Sequence, residues 1–194
     1  MPRQKEFDVD VVCERALDLF WRRGYEATSV NDLVDELGIG KASLYAAFGP
    51  KHQLYLTALR RYVERSDSLI VAELGRGGSP LDAVRQLVHR YVDQALEQGE
   101  LGCLVVNAAI ELVPADAEVA RLVEHSWDTI EVALTVTLTR AVAEGELSSD
   151  ADPTAIAAFL LTFLQGIRVM GKRQDSAKRL RAAATTALRV LDAN

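Results

Sequence analysis

With 194 residues and a formal net charge of −6, the chain is long enough for one compact domain, or for one small and one larger unit, with ample length to bury a core. Its apolar content is ordinary for a globular protein, no apolar run approaches the roughly 18–20 residues that cross a bilayer, and MPRQKEFDVD at the start holds no apolar signal region, so neither export nor membrane insertion is expected. Two cysteines, Cys13 and Cys103, lie far apart with no second thiol near either, which does not suggest a disulfide framework or a zinc site and fits a reducing cytoplasm.

The first predicted helix covers about Asp8 to Arg23, with Val9, Val12, Ala16, Leu19 and Phe20 as its inward stripe. Asp8 and Asp10 near its start and Arg22 and Arg23 near its end suit the helix dipole. Gly24 stops it. Trp21 and Tyr25 read as packing residues. A second, short helix carries Val30, Leu33, Val34 and Leu37 at helical spacing. Thr28 or Ser29 caps it, and Gly38 ends it in a left-handed turn. Ile39 is apolar inside that turn, as a plug between two helices would be. A third helix, about Lys41 to Phe48, turns Leu44 and Phe48 inward, which leaves Lys41, Ala42, Ser43, Tyr45 and Ala46 facing out. Two short helices on a tight turn, the second offering small residues, a hydroxyl, a Lys and a Tyr, suit a DNA-reading helix-turn-helix.

Gly49-Pro50 breaks that helix, and a long one follows over about Lys51 to Leu74 with Leu54, Ala58, Tyr62 and Leu69. GRGGSP at 75–80 is the clearest loop. Ser79-Pro80 opens a helix of about Leu81 to Gln98, striped by Leu81, Val84, Val88, Tyr91, Val92 and Ala95. After a Gly99–Gly102 break comes a short apolar helix, Cys103 to Val113, ended by Pro114. Asp116 to about Glu144 forms a long helix with Trp127, Ile130, Leu134, Leu138 and Ala141. Its TVTLT stretch alternates like a strand, but the flanks keep helical spacing. Asp152-Pro153 caps a helix over about Thr154 to Lys172, apolar nearly all round through Ile156, Phe159, Leu160, Leu161, Phe163, Leu164 and Ile167. Such a helix needs cover on two sides. The last helix, about Ser176 to Leu191, carries Leu180, Ala184, Ala187, Leu188 and Leu191. The expected class is all-α: an N-terminal three-helix unit with the helix-turn-helix over 1–50, and a helical bundle over 51–194 in which 51–74 is the connector.

Net acidity argues against a nucleic-acid partner at first sight. Residues 1–62, however, hold nine Lys/Arg and nine Asp/Glu, while 63–194 hold thirteen and nineteen. The acidity thus lies outside the helix-turn-helix part. Local placement of Lys41, Lys51, Arg3 and Lys5 is expected to matter more than bulk charge, with strongly salt-sensitive binding.

From Ala16 to Tyr55 the segments ALDLFWRRGYEATSV, LVDELGIGKASLY and FGPKHQLY resemble the N-terminal domain of TetR-family transcriptional regulators. The remainder resembles that family in length and helical character. The resemblance implies a double-stranded DNA operator, a small-molecule effector in the larger part, and a homodimer built on the last two helices, with Gly166 and Gly171 allowing close approach. Two reading helices would then sit one or more turns of DNA apart, ~34–36 Å per turn, on a pseudo-palindrome. Lys41, Ser43 and Tyr45 match family positions that touch bases or phosphates, and Lys51 and Thr28 match phosphate contacts. Ala42 and Ala46 could meet thymine methyls. The chain departs from the family at Gly40, where a capping side chain is common, and at Ala46 and Ala47, where an aromatic or His is common.

For the effector, Tyr91, Cys103, Asn107, Trp127, Phe159 and Phe163 are candidate lining residues, with plain core packing the competing reading for each aromatic. Asn107 in LVVNAAI needs a partner if buried, and Cys103 could sense oxidants or electrophiles or be an inert buried thiol. No catalytic motif, phosphate loop or paired cysteine suggests an enzyme, a cofactor or a metal site. His52, His89 and His125 on separate helices leave a metal sensor open. A helical adaptor without a DNA role is the third class. Effector binding would act by shifting the population between two dimer shapes.

Overall fold

A computed structural model describes residues 7–173 and 175–192. Arg3 and Lys5 lie outside them. Among the described residues the chain is all-α, in nine helices: α1 Val9–Arg23, α2 Val30–Leu37, α3 Lys41–Phe48, α4 Lys51–Leu74, α5 Pro80–Gln98, α6 Leu104–Glu111, α7 Ala117–Ala143, α8 Pro153–Met170 and α9 Ala177–Leu188.

The boundaries follow from capping chemistry. Asp8, Ser29, Ser79, Asp116 and Asp152 each accept backbone N–H groups at the start of α1, α2, α5, α7 and α8, satisfying donors that a helix leaves free. At α2 the cap is reciprocal: Asp32 N–H donates to Ser29 Oγ at 3.1 Å while Ser29 N–H donates to Asp32 Oδ2 at 2.8 Å. Ser29 is therefore the cap. Thr28 is fully buried, and its hydroxyl donates to the Gly24 carbonyl at 2.6 Å. Gly38 ends α2 with φ +67° and ψ 24°, a left-handed conformation that Gly adopts without steric cost.

Two apolar cores divide the chain along its long helices. The first joins α1, α2, α3 and the early part of α4 to α6 and the start of α7, through Phe20, Leu33, Leu44, Leu54, Tyr55, Leu104 and Val123. The second joins the far half of α4 to α5, α7, α8 and α9, through Ile70, Leu87, Leu134, Leu160 and Leu164. α4, 24 residues and about 36 Å long at 1.5 Å per residue, runs through both. α6 and the start of α7 thus belong to the same core as the three N-terminal helices.

Several expectations need correction. Val9 and Leu69 are exposed: in α4 the buried register is Val63, Asp67, Ile70 and Leu74, so Leu69 falls on the opposite face. α6 ends at Glu111, before Pro114, because the chain leaves the helix at Leu112. The stretch 135–139, in contrast, is helical throughout, as the spacing of its flanks predicts. α8 is long and apolar enough, by length and composition, to cross a membrane, contrary to the reading of the sequence. It nonetheless buries Ile156, Leu160, Leu164 and Ile167 against its neighbours and carries the buried Arg168. Its other face, with Phe159, Val169 and Met170, is exposed. A Cβ on Gly171 would lie 2.6 Å from Ala95 Cβ, so that Gly does permit a close approach to α5, whereas Gly166 has no neighbour within 4 Å.

Candidate nucleic-acid interface and effector cavity

α3 is held by its buried face alone. Leu44 is buried and Phe48 half-buried, while Lys41, Ala42, Tyr45 and Ala46 are exposed and Ser43 is half-buried. Tyr45 is 42% exposed, a large aromatic with no core to fill. The helix begins at Gly40 without a side-chain cap, and α4 begins at Pro50 equally uncapped. Their first N–H groups thus have no side-chain acceptor, the arrangement that suits an anion at a helix N-terminus. Ile39 is half-buried against the first core, plugging the angle between α2 and α3.

The frame behind α3 is pinned by cations already engaged within the chain. Arg15 on α1 donates to the Leu37 carbonyl at 3.2 Å and to the Glu36 carbonyl, closing the C-terminal end of α2. Arg22 pairs with Glu36 and Arg23 with Asp32, each at 2.8 Å. Hydrogen bonds from Ser29 hold the Asp32 carboxyl below its ordinary range. The family resemblance makes Lys51 a phosphate contact. Its Nζ instead donates to the Tyr25 and Thr28 carbonyls at 2.9 and 3.0 Å and sits 3.9 Å over the Tyr25 ring. It braces the α1–α2 loop against the start of α4. Lys41 is the exposed lysine on the face of α3.

The larger part grips this frame from behind. The Glu111 carboxylate, at the end of α6, accepts the N–H groups of Tyr25 and Glu26 at 3.1 and 2.8 Å. His52 Nε2 meets Asp116 Oδ2 at 2.6 Å. Burial opposes the charged form of Asp116, but N–H bonds from Val119, the His52 ring and Glu118 outweigh it and keep the carboxyl below its ordinary range. His52 is thus engaged, and among the described residues no cluster of three His, Cys, Asp or Glu side chains is placed to hold a metal.

A cavity of about 190 Å³ opens between α1, α4, α5, α7 and α8, and Tyr91, Cys103 and Trp127 all line it. The other three candidates lie elsewhere. Asn107 donates to the Leu101 carbonyl at 2.9 Å beside an outer cleft. Phe159 and Phe163 line an open apolar groove with Ala182, Thr186 and Val190 of the α9 side. They stack with ring centroids 6.3 Å apart.

Within the cavity Trp21 and Tyr62 meet edge to face at 5.1 Å, and Tyr62 Oη donates to Cys103 Sγ at 3.6 Å. Burial raises the Tyr62 phenol well above its ordinary range and pushes Tyr91 up to about 12. Periodicity overlooked two further lining residues, Asp67 and Arg168, only 6% and 7% exposed. The overlooked signal is register. Asp67 stands four residues after Val63 and three before Ile70, and Arg168 four after Leu164, each a charge placed on a buried stripe.

Comparison with known proteins then settles the family. Residues 13–58 match the profile of bacterial regulatory proteins of the tetR family, and residues 80–187 match the tetracyclin repressor-like C-terminal domain. The chain belongs to the TetR family. It is 36% identical to the HTH-type transcriptional regulator YezE of Bacillus subtilis (strain 168), over 99% of this chain and 100% of that protein. It is 30% identical to the HTH-type transcriptional repressor ComR of Escherichia coli (strain K12), over 97% and 90%. A solved structure of a cysteine-substituted form of the TetR family regulator CifR, complexed with 26-base-pair double-stranded operator DNA, matches with TM-score 0.83 and 31% identity over 96% of this chain and 98% of that one. As a TetR-family member, this chain is a DNA-binding transcriptional regulator and not an enzyme.

Proposed function

We propose that this TetR-family chain is a ligand-responsive repressor that works in the cytoplasm as a homodimer and leaves a pseudo-palindromic operator when a small molecule enters the cavity lined by Tyr91, Cys103 and Trp127. In this reading residues 1–50 form the reading head, 51–194 the effector and dimerisation part, and 51–74 the connector. The observation that carries it is the outer face of α3. Lys41, Ala42, Ser43, Tyr45 and Ala46 point away from the core on a helix whose N-terminus is uncapped, as a helix entering a major groove requires. Lys41 suits a phosphate or a base edge, Tyr45 and Ser43 the backbone, and the two alanines thymine methyls. Thr28, buried with its hydroxyl used internally, leaves that face, and Lys51 positions it from behind.

The homodimer is supported by the exposed apolar surface of α8 and α9, where Phe159, Phe163, Ala182 and Val190 flank an open groove. An exposed patch of this kind on a regulator that must span two half-sites suits a two-fold contact. Selection of bound fragments from the source genome with the purified protein tests the reading. Enrichment of one pseudo-palindromic sequence is expected. A fragment pool with no shared sequence contradicts it.

A thiol-responsive variant of the reading is favoured by one observation, the Cys103 thiol in the cavity wall against Tyr62. Cys103→Ser then keeps operator binding and abolishes its loss on treatment with N-ethylmaleimide. Loss that persists in the variant contradicts it.

A further inference from the structure

The cavity contains two buried ionic side chains whose charges are left unmatched. Asp67 Oδ1 accepts from Ser126 Oγ at 2.9 Å, but Oδ2 is buried and has no hydrogen-bond partner. Arg168 donates to the neutral amide oxygens of Gln98 and Gln94, at 3.1 and 2.6 Å, and lies 4.3 Å over the Tyr91 ring, while its Nε is buried and unpartnered. Among the described residues no carboxylate lies within ion-pair distance of Arg168, and no cation lies within ion-pair distance of Asp67. Trp127 adds a third orphan, a buried indole N–H without an acceptor. An isolated buried charge is costly to hold, and an unmade hydrogen bond adds to that cost. With the buried, unpartnered Nε of Arg90 on the same wall, four such groups round one cavity are a ligand's complement more than a core's.

We propose that the cavity binds a small zwitterion of the amino-acid class, its carboxylate on Arg168 and the Trp127 N–H and its ammonium on Asp67. Charge balance selects this class. Four charged side chains line the cavity; Arg65 pairs with Glu14 and Arg90 with Glu73, which leaves one anion, Asp67, and one cation, Arg168, without an ionic partner, so a zwitterion matches both poles, whereas an amine or a simple acid leaves one bare. Size agrees: about 190 Å³ is room for about six waters at ~30 Å³ each. The rings of Tyr62, Tyr91 and Trp21 supply apolar walls for a short carbon chain between the poles. Burial pushes the Asp67 carboxyl above its ordinary range, a cost that an ammonium partner removes. This inference rests on the cavity being the effector site.

The test is isothermal titration calorimetry of the full-length protein with the straight-chain ω-amino acids from glycine to 6-aminohexanoate. The n-alkylamine and n-alkanoate of each length are the one-pole controls. At least one amino acid is expected to bind saturably, both its one-pole controls at least tenfold more weakly. Asp67→Asn and Arg168→Gln should each cost tenfold or more, as loss of a hydrogen bond to a charged group implies. If circular dichroism shows Arg168→Gln unfolded, Trp127→Phe tests the acid end instead, with a smaller expected loss. No binding by any amino acid in the series, or equal binding by wild type and the variants, overturns the ligand class. So do one-pole controls that bind as tightly. Operator release is scored separately by anisotropy: binding without release keeps the ligand class and overturns the effector reading, whereas release with no measurable binding overturns the ligand class.

Discussion

The indole N–H of Trp21 donates to the carbonyl oxygen of Gly102 at 3.1 Å. Trp21 stands on α1, inside the reading head, and Gly102 lies in the loop that leads into Cys103 and α6. Because Trp21 also forms part of the cavity wall, one side chain touches the cavity, the α6 entry loop and the DNA-binding unit together. Glu111 completes the attachment through the N–H groups of Tyr25 and Glu26, and the His52–Asp116 pair fixes the start of α4 to that of α7 beside it. In the proposed effector reading, a ligand that moves the cavity wall would act on α1 directly, without a relay through the whole of α4.

Trp21→Phe deletes the donor and replaces the indole with a smaller aromatic ring. The expected cost in stability is about 1 kcal/mol for the hydrogen bond, with a further loss from the smaller packed surface. Operator affinity without ligand should hold, while the ligand concentration needed for release rises. Anisotropy titrations with and without ligand check this, and release identical to wild type would mean that the bond carries no coupling.

Lys51→Met separates two roles that sequence resemblance merges. Lys51 binds two loop carbonyls and the Tyr25 ring, so its loss leaves acceptors unpaired. A fall in stability of about 1–3 kcal/mol in urea unfolding is expected, together with weaker operator binding. Lys41→Ala should weaken the operator complex and leave stability within about 0.5 kcal/mol of wild type. Unchanged unfolding of Lys51→Met would make Lys51 a plain phosphate contact.

Asp67 carries a pH signature with a definite sign. Burial raises its folded-state pKa, against the bonds from Ser126 and Ser66 and the nearby His125 that lower it. The native state then binds more protons than the unfolded chain between the ordinary aspartate pKa and the raised one. Stability therefore falls as pH rises through that window and levels off above it. Asp67→Asn removes this slope. It should melt at the same temperature as wild type or higher at pH 7, with the advantage vanishing below about pH 3.9, the unfolded aspartate value. A melting temperature several degrees lower at pH 7 would show that Asp67 is there for stability and not for a ligand.

Phe163→Glu places a charge in the open groove between α8 and α9. Burying that charge in the proposed two-fold contact would cost several kcal/mol, so light scattering should report a monomer for the variant and a dimer for wild type. The monomer should lose operator affinity while keeping its helical content. A dimer that persists would remove this face from the proposed interface.

Much of the fold was legible because local chemistry decided it. Ser29, Ser79, Asp116 and Asp152 announce helix starts, Gly24 and Gly38 announce ends, and the turn with Ile39 fixes how α2 meets α3. The outer face of α3 followed from periodicity, since Leu44 and Phe48 leave only one way for the helix to point. What escaped depends on residues brought together from far along the chain. Lys51 is committed by carbonyls 26 and 23 positions earlier, at Tyr25 and Thr28, which no local pattern encodes. Thr28 looked as good a cap as Ser29 until packing buried it. Phe159 and Phe163 read as cavity lining because α8 is apolar on both sides, and one sequence cannot say which side faces the ligand. Asp67 and Arg168 carry no local signal of their own, because Leu69 competes for the inward position in that turn of α4, and because a lone charge near the end of α8 reads as solvated until Gln94 and Gln98 enclose it.

The most direct test is a fluorescence-anisotropy titration of the selected operator with wild type and Lys41→Ala, in excess competitor DNA and across a salt series. Saturable nanomolar binding by wild type is predicted, with weaker binding by Lys41→Ala and a salt slope lower by about one for the lost phosphate contact. Equal affinity and equal slope for the two proteins, or equal binding to operator and scrambled DNA, would contradict the claim that the face of α3 reads the operator.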